Sequence, residues 1–197
     1  MAVIEAELRP GAPPGPAPVD GERLRLRVFR LGEAVQLSAL LIDFEVVRFA
    51  GEIPWPYGLP QAAGFIAQSH RHFAHGRDCV FAIERLADDE LIGCIALHAD
   101  AGGKTARLGY WLGQPYWRNG YATEAARRVV AFAFEDLKAD MVWAGWFHDN
   151  PRSGNVLAKL GCVAKAFEKR PCLARGMEIG CNTVTLSREA FLGRRAA

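Results

Sequence analysis

One segment of the chain, residues 108–125, determines how the rest is interpreted, and it reads Leu108-Gly109-Tyr110-Trp111-Leu112-Gly113-Gln114-Pro115-Tyr116-Trp117-Arg118-Asn119-Gly120-Tyr121-Ala122-Thr123-Glu124-Ala125. Its first five residues are mostly apolar or aromatic, which is typical of a half-buried strand. The residues 113–115 then interrupt that strand. From Ala122 onward, apolar residues recur at three- and four-residue steps, and this spacing predicts one buried face of a helix. The segment therefore predicts a strand, a turn and the start of a helix.

The turn in this segment has the properties of an anion-binding site. The first backbone amides of a helix have no partner within it and carry a partial positive charge, so a phosphate can accept hydrogen bonds from them. Gly120 has no Cβ and allows a ligand to approach the backbone closely, and Arg118 adds a positive charge. For the turn taken alone, an ordinary connection between a strand and a helix is the alternative interpretation.

The wider segment resembles the acetyl-CoA signature of the GNAT acetyltransferases, and in particular their RimJ/RimL-like branch, which is named for ribosomal-protein N-terminal acetylation. The residues that carry the resemblance are Tyr110–Gly113, Tyr116–Trp117 and Gly120–Ala125. The superfamily motif is Gln or Arg, two residues, Gly, one residue, and then Gly or Ala. Trp117, Gly120 and Ala122 hold its first, fourth and sixth positions. Trp117 departs from the general motif but is similar to the branch, and Arg118 stands where the branch often has Gly.

This resemblance implies acetyl-CoA as the co-substrate and places its contacts in the motif. The implied cofactor-binding residues are Trp111, Leu112, Gly113, Trp117, Arg118, Asn119, Gly120, Tyr121, Ala122 and Thr123. A backbone N–H near Trp111 or Leu112 is the implied donor to the oxyanion that develops during acyl transfer.

Residues 149–161 resemble the second signature of the family, which is Asn, two residues, Ser, and a helix ending in Lys-Leu-Gly-Phe; Cys162 replaces the Phe. From the residue types alone, Ser153 is predicted to be the N-cap of a helix over 153–160. The resemblance implies a catalytic role as well, in which the Ser153 hydroxyl stabilises the leaving thiolate. It also makes Asn150 and Asn155 candidates for hydrogen bonds to the pantetheine arm of the cofactor.

The remaining patterns predict an α+β domain. A strand begins at Leu24, residues 33–49 form two short helical pieces that break near Asp43, and residues 60–75 form a helix. The further strands are predicted at 79–86, 91–97, 104–112, 141–147, 163–169 and 182–187. The strand–helix–strand unit at 104–147 predicts one parallel pair in a mixed central sheet flanked by helices. In the GNAT, or acyl-CoA N-acyltransferase, fold that the resemblance implies, these two strands splay apart around the pantetheine arm.

The length and composition of the chain favour one domain in a reducing compartment. Residues 1–20 are predicted to be a Pro-rich flexible tail, and residues 21–197 a single GNAT domain. A formal net charge of +2 gives no reason to expect nucleic-acid or membrane binding. No apolar run approaches the ~20 residues of a membrane span, and no signal peptide is recognisable. The 5 cysteines, without a CxxC pair, favour free thiols and a cytoplasmic location.

The acceptor side and the base are less clearly marked in the sequence. The Ile53–Tyr57 loop resembles the loop that borders the acceptor site in this branch, so Trp55 and Tyr57 are candidate substrate-binding residues. Many relatives place a carboxylate on the strand at 104–112, where this chain has Arg107 and no acid. His98 is therefore the candidate base, relaying a proton through water, with a simple strand-end histidine as the alternative. Holding the amine and the thioester together could also supply much of the rate without a dedicated base.

A histidine cluster raises the question of a metal site. His70, His72 and His75 lie two and five residues apart, and these steps do not place three ligands on one helical face. We therefore predict no metal and interpret these residues as solvated surface histidines.

Two functions of different classes follow. The first is an N-acetyltransferase that moves an acetyl group from acetyl-CoA to a primary amine by direct attack, the acceptor being a protein N-terminus or a small molecule. The second is a GNAT-fold sensor or interaction module that binds an acyl-CoA without catalysis. The intact motifs favour the first, and the missing strand carboxylate keeps the second open. A homodimer is compatible with either.

Overall fold

A computed structural model describes residues 19–74, 78–100 and 102–195 as one mixed sheet covered by helices on both faces. In this part of the chain the strands are β1 (Val19–Asp20), β2 (Leu24–Arg27), β3 (Asp78–Arg85), β4 (Glu90–Ala99), β5 (Thr105–Leu112), β6 (Met141–Phe147), β7 (Val163–Cys172) and β8 (Met177–Ser187). The helices are α1 (Ala34–Leu41), α2 (Phe44–Val47), α3 (Leu59–Ala74), α4 (Tyr121–Glu135), α5 (Pro151–Leu160) and α6 (Arg188–Arg195). The spatial order of the strands is β1-β2-β3-β4-β5-β6-β8-β7.

One strand pair differs from all the others that the structure describes. β5 and β6 run parallel, joined by the crossover helix α4, whereas every other neighbouring pair is antiparallel. Their pairing covers only Thr105–Arg107 and Met141–Trp143, and beyond Arg107 the two strands separate. The predicted α+β fold with a splayed parallel pair is therefore confirmed.

The two faces of the sheet bury two separate cores, because alternate residues of each strand point to opposite sides. On one face, Val80, Ala82 and Ala96 pack beneath α1 and α3, whose Leu37 and Ile66 are fully buried. The opposite face packs against α4 and α5, and this second core contains the following buried residues: Ile83, Ile95, Leu97, Val129, Val130, Phe134 and Leu157.

Most element boundaries agree with the sequence patterns, and the exceptions have physical reasons. Asp43 separates α1 from α2 as predicted, and its carboxylate caps α2 by accepting from the Glu45 N–H at 2.9 Å. β7 and β8 extend further than predicted, since β7 is largely exposed on both faces and shows no burial alternation to follow. α6 was not predicted. Val19 and Asp20, assigned to the tail, pair with β2; residues 1–18 lie outside the described part of the chain.

None of the helices within residues 19–74, 78–100 and 102–195 combines the length and apolar character needed to cross a membrane.

Candidate functional site

A single long groove follows the gap between β5 and β6 and encloses about 1750 Å³. We call its two ends the α4 end, lined by Trp117, Arg118, Gly120–Thr123 and residues between 150 and 159, and the α3 end, lined by residues between 45 and 72 together with Asp78, His98 and Arg107. The predicted site residues that line the groove are Tyr57, His98, Trp111, Leu112, Trp117, Arg118, Gly120, Tyr121, Ala122, Thr123, Asn150, Ser153 and Asn155. Two distant sequence signatures therefore meet in one cavity.

The gap itself supplies unpaired backbone groups. β5 remains hydrogen-bonded to β4 along its whole length, up to the pair Leu112 and Gly93. On its other edge it pairs with β6 only as far as Arg107. The edge of β5 beyond Arg107 thus offers backbone donors and acceptors that no neighbouring strand satisfies, and a bound ligand can take their place. This arrangement suits a linear, amide-containing molecule.

The turn before α4 adopts the left-handed backbone conformation at two positions. Gly120 is the N-cap, with φ of 80° and no side-chain hydrogen bond to the helix start, so the first amides of α4 are free to bind an anion. Arg118 has φ of 65°, a conformation that costs a non-glycine residue roughly 1–2 kcal/mol. The RimJ/RimL-like branch often has Gly at this position, and Gly adopts the left-handed conformation without this cost.

A residue outside both signatures holds this turn in place. Arg23, which precedes β2, donates from Nη1 to the Asn119 carbonyl at 2.9 Å. Its backbone N–H and its Nε each lie 2.9 Å from a different oxygen of Glu124, in the first turn of α4. The guanidinium also stacks 4.8 Å from the centre of the Tyr121 ring. Sequence reasoning missed Arg23, because nothing local connects position 23 with the motif about a hundred residues later.

Basic side chains line the groove at the same end as the free helix start. Arg118, Arg152 and Lys159 line the groove at the α4 end. Arg152 stacks over the Trp117 ring with its guanidinium carbon 5.6 Å from the ring centre. Two arginines and one lysine beside unpaired helix amides form a site suited to a diphosphate with a further phosphate.

The structure corrects the predicted cap of α5. The N-cap is Asn150, whose Oδ1 accepts from the Ser153 N–H at 3.4 Å, so Ser153 lies in the first turn of the helix. Pro151 occupies the first helical position, where a missing N–H costs nothing and its fixed φ fits. Asn is as good a cap as Ser, and Asn150-Pro151 was the better signal. The prediction of Ser153 as N-cap was therefore wrong.

The Ser153 hydroxyl instead lies beside a tyrosine that the motif analysis had not assigned a role. Tyr110 Oη is 2.8 Å from Ser153 Oγ and donates to the Ser153 carbonyl at 3.1 Å. This contact joins β5 to the helix that follows β6 and so bridges the splayed pair. Burial raises the pKa of Tyr110, which keeps the phenol protonated as a hydrogen-bond donor to Ser153.

The α3 end carries a row of polar side chains on one face of three strands. Asp78 of β3 lies opposite His98 of β4, and His98 lies opposite Arg107 of β5. Arg107 extends the row to Glu52, with its Nη1 2.8 Å and its Nη2 3.1 Å from the two carboxylate oxygens. β5 carries no acid, but the Glu52 carboxylate from the Gly51–Gly58 loop contacts Arg107 of β5.

Next to this row the floor of the groove is empty. Gly109 lies beside Ala96, one step further along the same face, and a Cβ built on Gly109 would meet no atom within 4 Å. A pocket for a small group therefore opens between the polar row and Trp111.

Of the two residues predicted to bind the acceptor, Tyr57 lines the groove and Trp55 does not. Tyr57 lines the groove and is buried, and this burial, with a smaller contribution from Cys94, raises its pKa to about 12. Trp55 does not line the groove. Its indole Nε1 donates to the Ile42 carbonyl at 3.2 Å and its ring packs edge-on against Phe44. The structure therefore places Trp55 in the packing of the loop against α1 and α2.

Gly113 and Asn119 also lie outside the groove lining. A Cβ on Gly113 would come within 2.7 Å of Leu40, so this glycine permits close packing of the turn against α1. Asn119 is bonded to its own turn, donating from Nδ2 to the Trp117 carbonyl at 3.1 Å. Both residues shape the turn between β5 and α4 instead of facing the cavity.

The interpretation of His70 and His72 as solvated surface histidines is wrong, because both are partly buried and have protein partners. His70 contacts the Phe29 carbonyl at 2.7 Å, whereas His72 contacts Asp78 at 2.8 Å. His75 lies outside the described residues. Across residues 19–74, 78–100 and 102–195, no group of 3 or more His, Cys, Asp or Glu side chains is arranged to hold a metal ion.

Comparison with known families agrees with this geometry. Residues 23–163 match the acetyltransferase (GNAT) domain family. The chain belongs to the GNAT acetyltransferases. It is 32% identical over 160 residues to the uncharacterized N-acetyltransferase YoaA of Bacillus subtilis (strain 168), covering 81% of this chain and 87% of that protein. The predicted family is therefore confirmed, and the protein is an acetyltransferase.

Solved structures of this acetyltransferase family share the fold. Mycobacterium smegmatis RimJ, solved in complex with CoA-disulfide, has a TM-score of 0.79 at 20% identity and covers 92% of this chain and 95% of its own. The spermidine N-acetyltransferase of Vibrio cholerae, solved with CoA and spermine, has a TM-score of 0.74 at 15% identity and covers 86% and 98%. At these identities the two matches show that this chain shares their fold.

Proposed function

We propose that this protein transfers an acetyl group from acetyl-CoA to a primary amine of a small molecule or a protein N-terminus, in the cytoplasm. The observation that carries the proposal is a single groove that joins an uncapped, basic helix start to a polar row across a splayed strand pair. All five cysteines are free, as a reducing compartment would leave them.

The α4 end fits the phosphate groups of acetyl-CoA. The free amides at the start of α4 and the cations Arg118, Arg152 and Lys159 would hold the diphosphate and the additional phosphate of this co-substrate. The open edge of β5, with Asn150 and Asn155 across the gap, would hold the amides of the pantetheine arm. Acetyl-CoA itself supplies the activated acyl group as a thioester.

Each remaining residue has a task that its position allows. An N–H of β5 near Trp111 donates to the developing oxyanion. Tyr110 keeps its own proton and orients Ser153, whose hydroxyl donates to the departing sulfur. His98 accepts the proton of the acceptor ammonium through water, since an amine must be neutral to attack and lysine-like amines have a pKa of about 10.4. Tyr57 forms part of the wall on the acceptor side.

The acceptor lies at the α3 end in this proposal. The open pocket over Gly109 and the flanking His98 would admit a primary amine beside the thioester. Spermine in the Vibrio cholerae structure shows that one fold relative binds an amine of this kind. For this chain, a protein N-terminus and a small-molecule amine remain the two acceptor classes of the proposal.

Two measurements test the function. Acetyl-CoA at 100 times its dissociation constant should add about 2.7 kcal/mol to the free energy of unfolding, which thermal unfolding would detect. A panel of polyamines, amino acids and peptides with different first residues, scored by thiol release, should then identify an acceptor. Stabilisation without any acetyl transfer across the panel would favour the non-catalytic acyl-CoA sensor. The absence of stabilisation would contradict the cofactor assignment itself.

A further inference from the structure

Three polar side chains from three separate elements form a connected cluster at the α3 end. His72 of α3 places Nδ1 2.8 Å from one oxygen of Asp78, and His98 of β4 places Nδ1 3.2 Å from the other. Asp78, the first residue of β3, therefore contacts one imidazole with each carboxylate oxygen. All three side chains line the groove and are partly shielded, with 35%, 17% and 30% of the His72, Asp78 and His98 side chains exposed.

The contacts of the two histidines favour one ring nitrogen of each as the site of the proton. The Gln68 amide nitrogen, which only donates, lies 3.3 Å from His72 Nε2, so that nitrogen accepts and His72 Nδ1 donates to Asp78. His98 Nδ1 lies at an ion-pair distance of 3.2 Å from the other Asp78 oxygen, and an ionised carboxylate, which only accepts, favours the tautomer with the proton on the nearer ring nitrogen. The Nε2 of a neutral His98 is then left with its lone pair, which is the state a base requires.

The sheet register places His98 where the chemistry of the proposed function would occur. His98 lies opposite Arg107, the last residue at which β5 still pairs with β6. The neighbouring floor positions on the same face are Ala96 and Gly109, which leave the space beside the imidazole open. An amine over Gly109 would thus lie next to His98 at the point where the gap begins.

We propose that Asp78 and His72 are positioning residues that fix His98 as the base of acetyl transfer, an inference that rests on the proposed function. His98 Nε2 takes a proton from the acceptor ammonium through water. The nitrogen lone pair then forms the N–C bond, the C–S bond breaks, and its electron pair goes to sulfur. The second amine proton ends on sulfur, and His98 returns the first to solvent. Asp78 stabilises the imidazolium that forms in between.

The other carboxylate near the pocket is less suited to this task. Both oxygens of Glu52 are engaged by the Arg107 guanidinium, and 72% of the Glu52 side chain is exposed to solvent. If the Glu52 carboxylate accepted a proton, it would lose its charge and weaken its ion pair with Arg107. Asp78, in contrast, contacts two imidazoles, and histidine is the side chain that most often serves as a general base.

The test compares Asp78→Asn with the wild-type protein and with Asp78→Glu. Asn has the same shape but can donate a hydrogen bond to His98 Nδ1, which favours the tautomer with the proton on Nε2. We expect kcat to fall about 10- to 100-fold, part of the 10²- to 10⁴-fold that a base contributes. The KM for the amine and the acetyl-CoA affinity should change less than about twofold. Asp78→Glu should recover part of kcat, because its carboxylate still accepts.

Two matched variants on α3 separate positioning from packing. His72→Gln removes one imidazole from Asp78 and should lower kcat a few-fold. His70→Gln, two residues earlier, removes a histidine that contacts only the Phe29 carbonyl among the hydrogen bonds described, and should leave kcat unchanged. Equal losses in both variants would contradict the positioning role.

Two acceptor probes and one spectroscopic measurement complete the experiment. The probes are Nα-acetyl-lysine amide, with an amine pKa of about 10.4, and Ala-Gly-Gly amide, with one of about 8. Losing the base should slow the lysine probe more, because a smaller fraction of it is neutral. Nitrogen chemical shifts of the histidine rings, recorded without acetyl-CoA, should show a proton on Nδ1 of His98 in the wild type and a shift of that proton to Nε2 in Asp78→Asn.

The outcomes are distinguishable. Wild-type kcat in Asp78→Asn with both probes, or a wild-type His98 that carries its proton on Nε2, would overturn the positioning of His98. Wild-type protein that neither binds acetyl-CoA nor releases thiol would contradict the proposed function, and the ring-nitrogen shifts would still decide whether Asp78 fixes the His98 tautomer.

Discussion

The two ends of the groove are built in opposite ways. The α4 end comes mostly from two contiguous segments, 117–123 and 150–159, and exposes unpaired backbone amides at the start of α4. The α3 end is assembled from a loop, a helix and single residues of three strands, and uses side chains. Local backbone geometry is encoded locally, whereas a constellation of side chains depends on register. The proposed acetyl-CoA site at the α4 end therefore depends on local backbone geometry, and the proposed acceptor site at the α3 end depends on strand register.

The ends also differ in what keeps them in shape. At the α4 end two residues hold left-handed conformations, and Arg23 fastens the turn from outside. At the α3 end ion pairs between partly exposed groups connect the elements. A substitution in the turn should therefore change ligand affinity sharply, while breaking an exposed ion pair such as Glu52–Arg107 should change the free energy of unfolding little.

The largest effect is expected from Gly120→Glu, which would break the α4 end. The variant forces a side chain into φ of 80° and places a negative charge where phosphates would lie. We expect acetyl-CoA affinity to fall at least about 100-fold, so that at 100 times the wild-type dissociation constant the stabilisation falls from about 2.7 kcal/mol to about 0.4 kcal/mol or less. Calorimetry and thermal unfolding would measure both.

The matched control is Gly120→Asn, because Asn tolerates the left-handed conformation and carries no charge. It should retain most of the affinity. Equal affinities of the Glu variant and the wild type in the folded state would move the phosphate site away from the α4 start.

Next in size is Gly109→Leu, which would fill the α3 end and leave the α4 end intact. Its side chain enters space in which a Cβ meets nothing within 4 Å. We expect turnover to fall by about 100-fold, the loss that a displacement of about 1 Å can cause, with acetyl-CoA affinity unchanged. Gly32→Leu is the control, since Gly32 also has open space but lies outside the groove lining. A parallel loss of acetyl-CoA binding would show that the two ends are not separable.

An intermediate effect is expected at the start of α5, where two adjacent functions can be separated. Asn150→Ala removes the cap and should lower the free energy of unfolding by about 1 kcal/mol. Ser153→Ala removes no cap, so it should mainly reduce kcat about tenfold, because a hydrogen bond to a charged group is worth about 1.5 kcal/mol or more. Denaturant unfolding and steady-state kinetics would compare them. The reverse pattern, with Ser153→Ala the less stable variant at full turnover, would restore Ser153 as a structural residue only.

The smallest effect is expected from Glu52→Gln, which breaks the ion pair with Arg107. Because 72% of the Glu52 side chain is exposed, the free energy of unfolding should change by less than about 0.5 kcal/mol. A double-mutant cycle with Arg107→Gln would measure the coupling. A coupling above about 1 kcal/mol would mean that the α3 end is held together more firmly than its exposure indicates.

The sequence alone determined the features that depend on short-range geometry. Hydrophobic periodicity identified β6 with its observed bounds, and Asp43 marked the break between α1 and α2. The strand–turn–helix segment at 108–125 indicated an anion site, because unpaired helix amides and a glycine turn arise within a few residues. Two signatures, and the family they resemble, then implied the fold and the cofactor. Ser153 was misassigned as a cap because Asn150 and Ser153 are both good N-caps, and the Pro151 position decides between them.

Only the tertiary structure decided which distant side chains meet. Nothing in the sequence marks Asp78 as a partner of His98, and only the register of β3 and β4 places the two residues opposite each other. Arg23 and Tyr110 gained partners 101 and 43 residues away, in Glu124 and Ser153. Such contacts depend on how strands align and how helices pack, and a one-residue change of register would turn these side chains to the other face. Local patterns specify backbone conformation, but the meeting of side chains is a property of the whole fold.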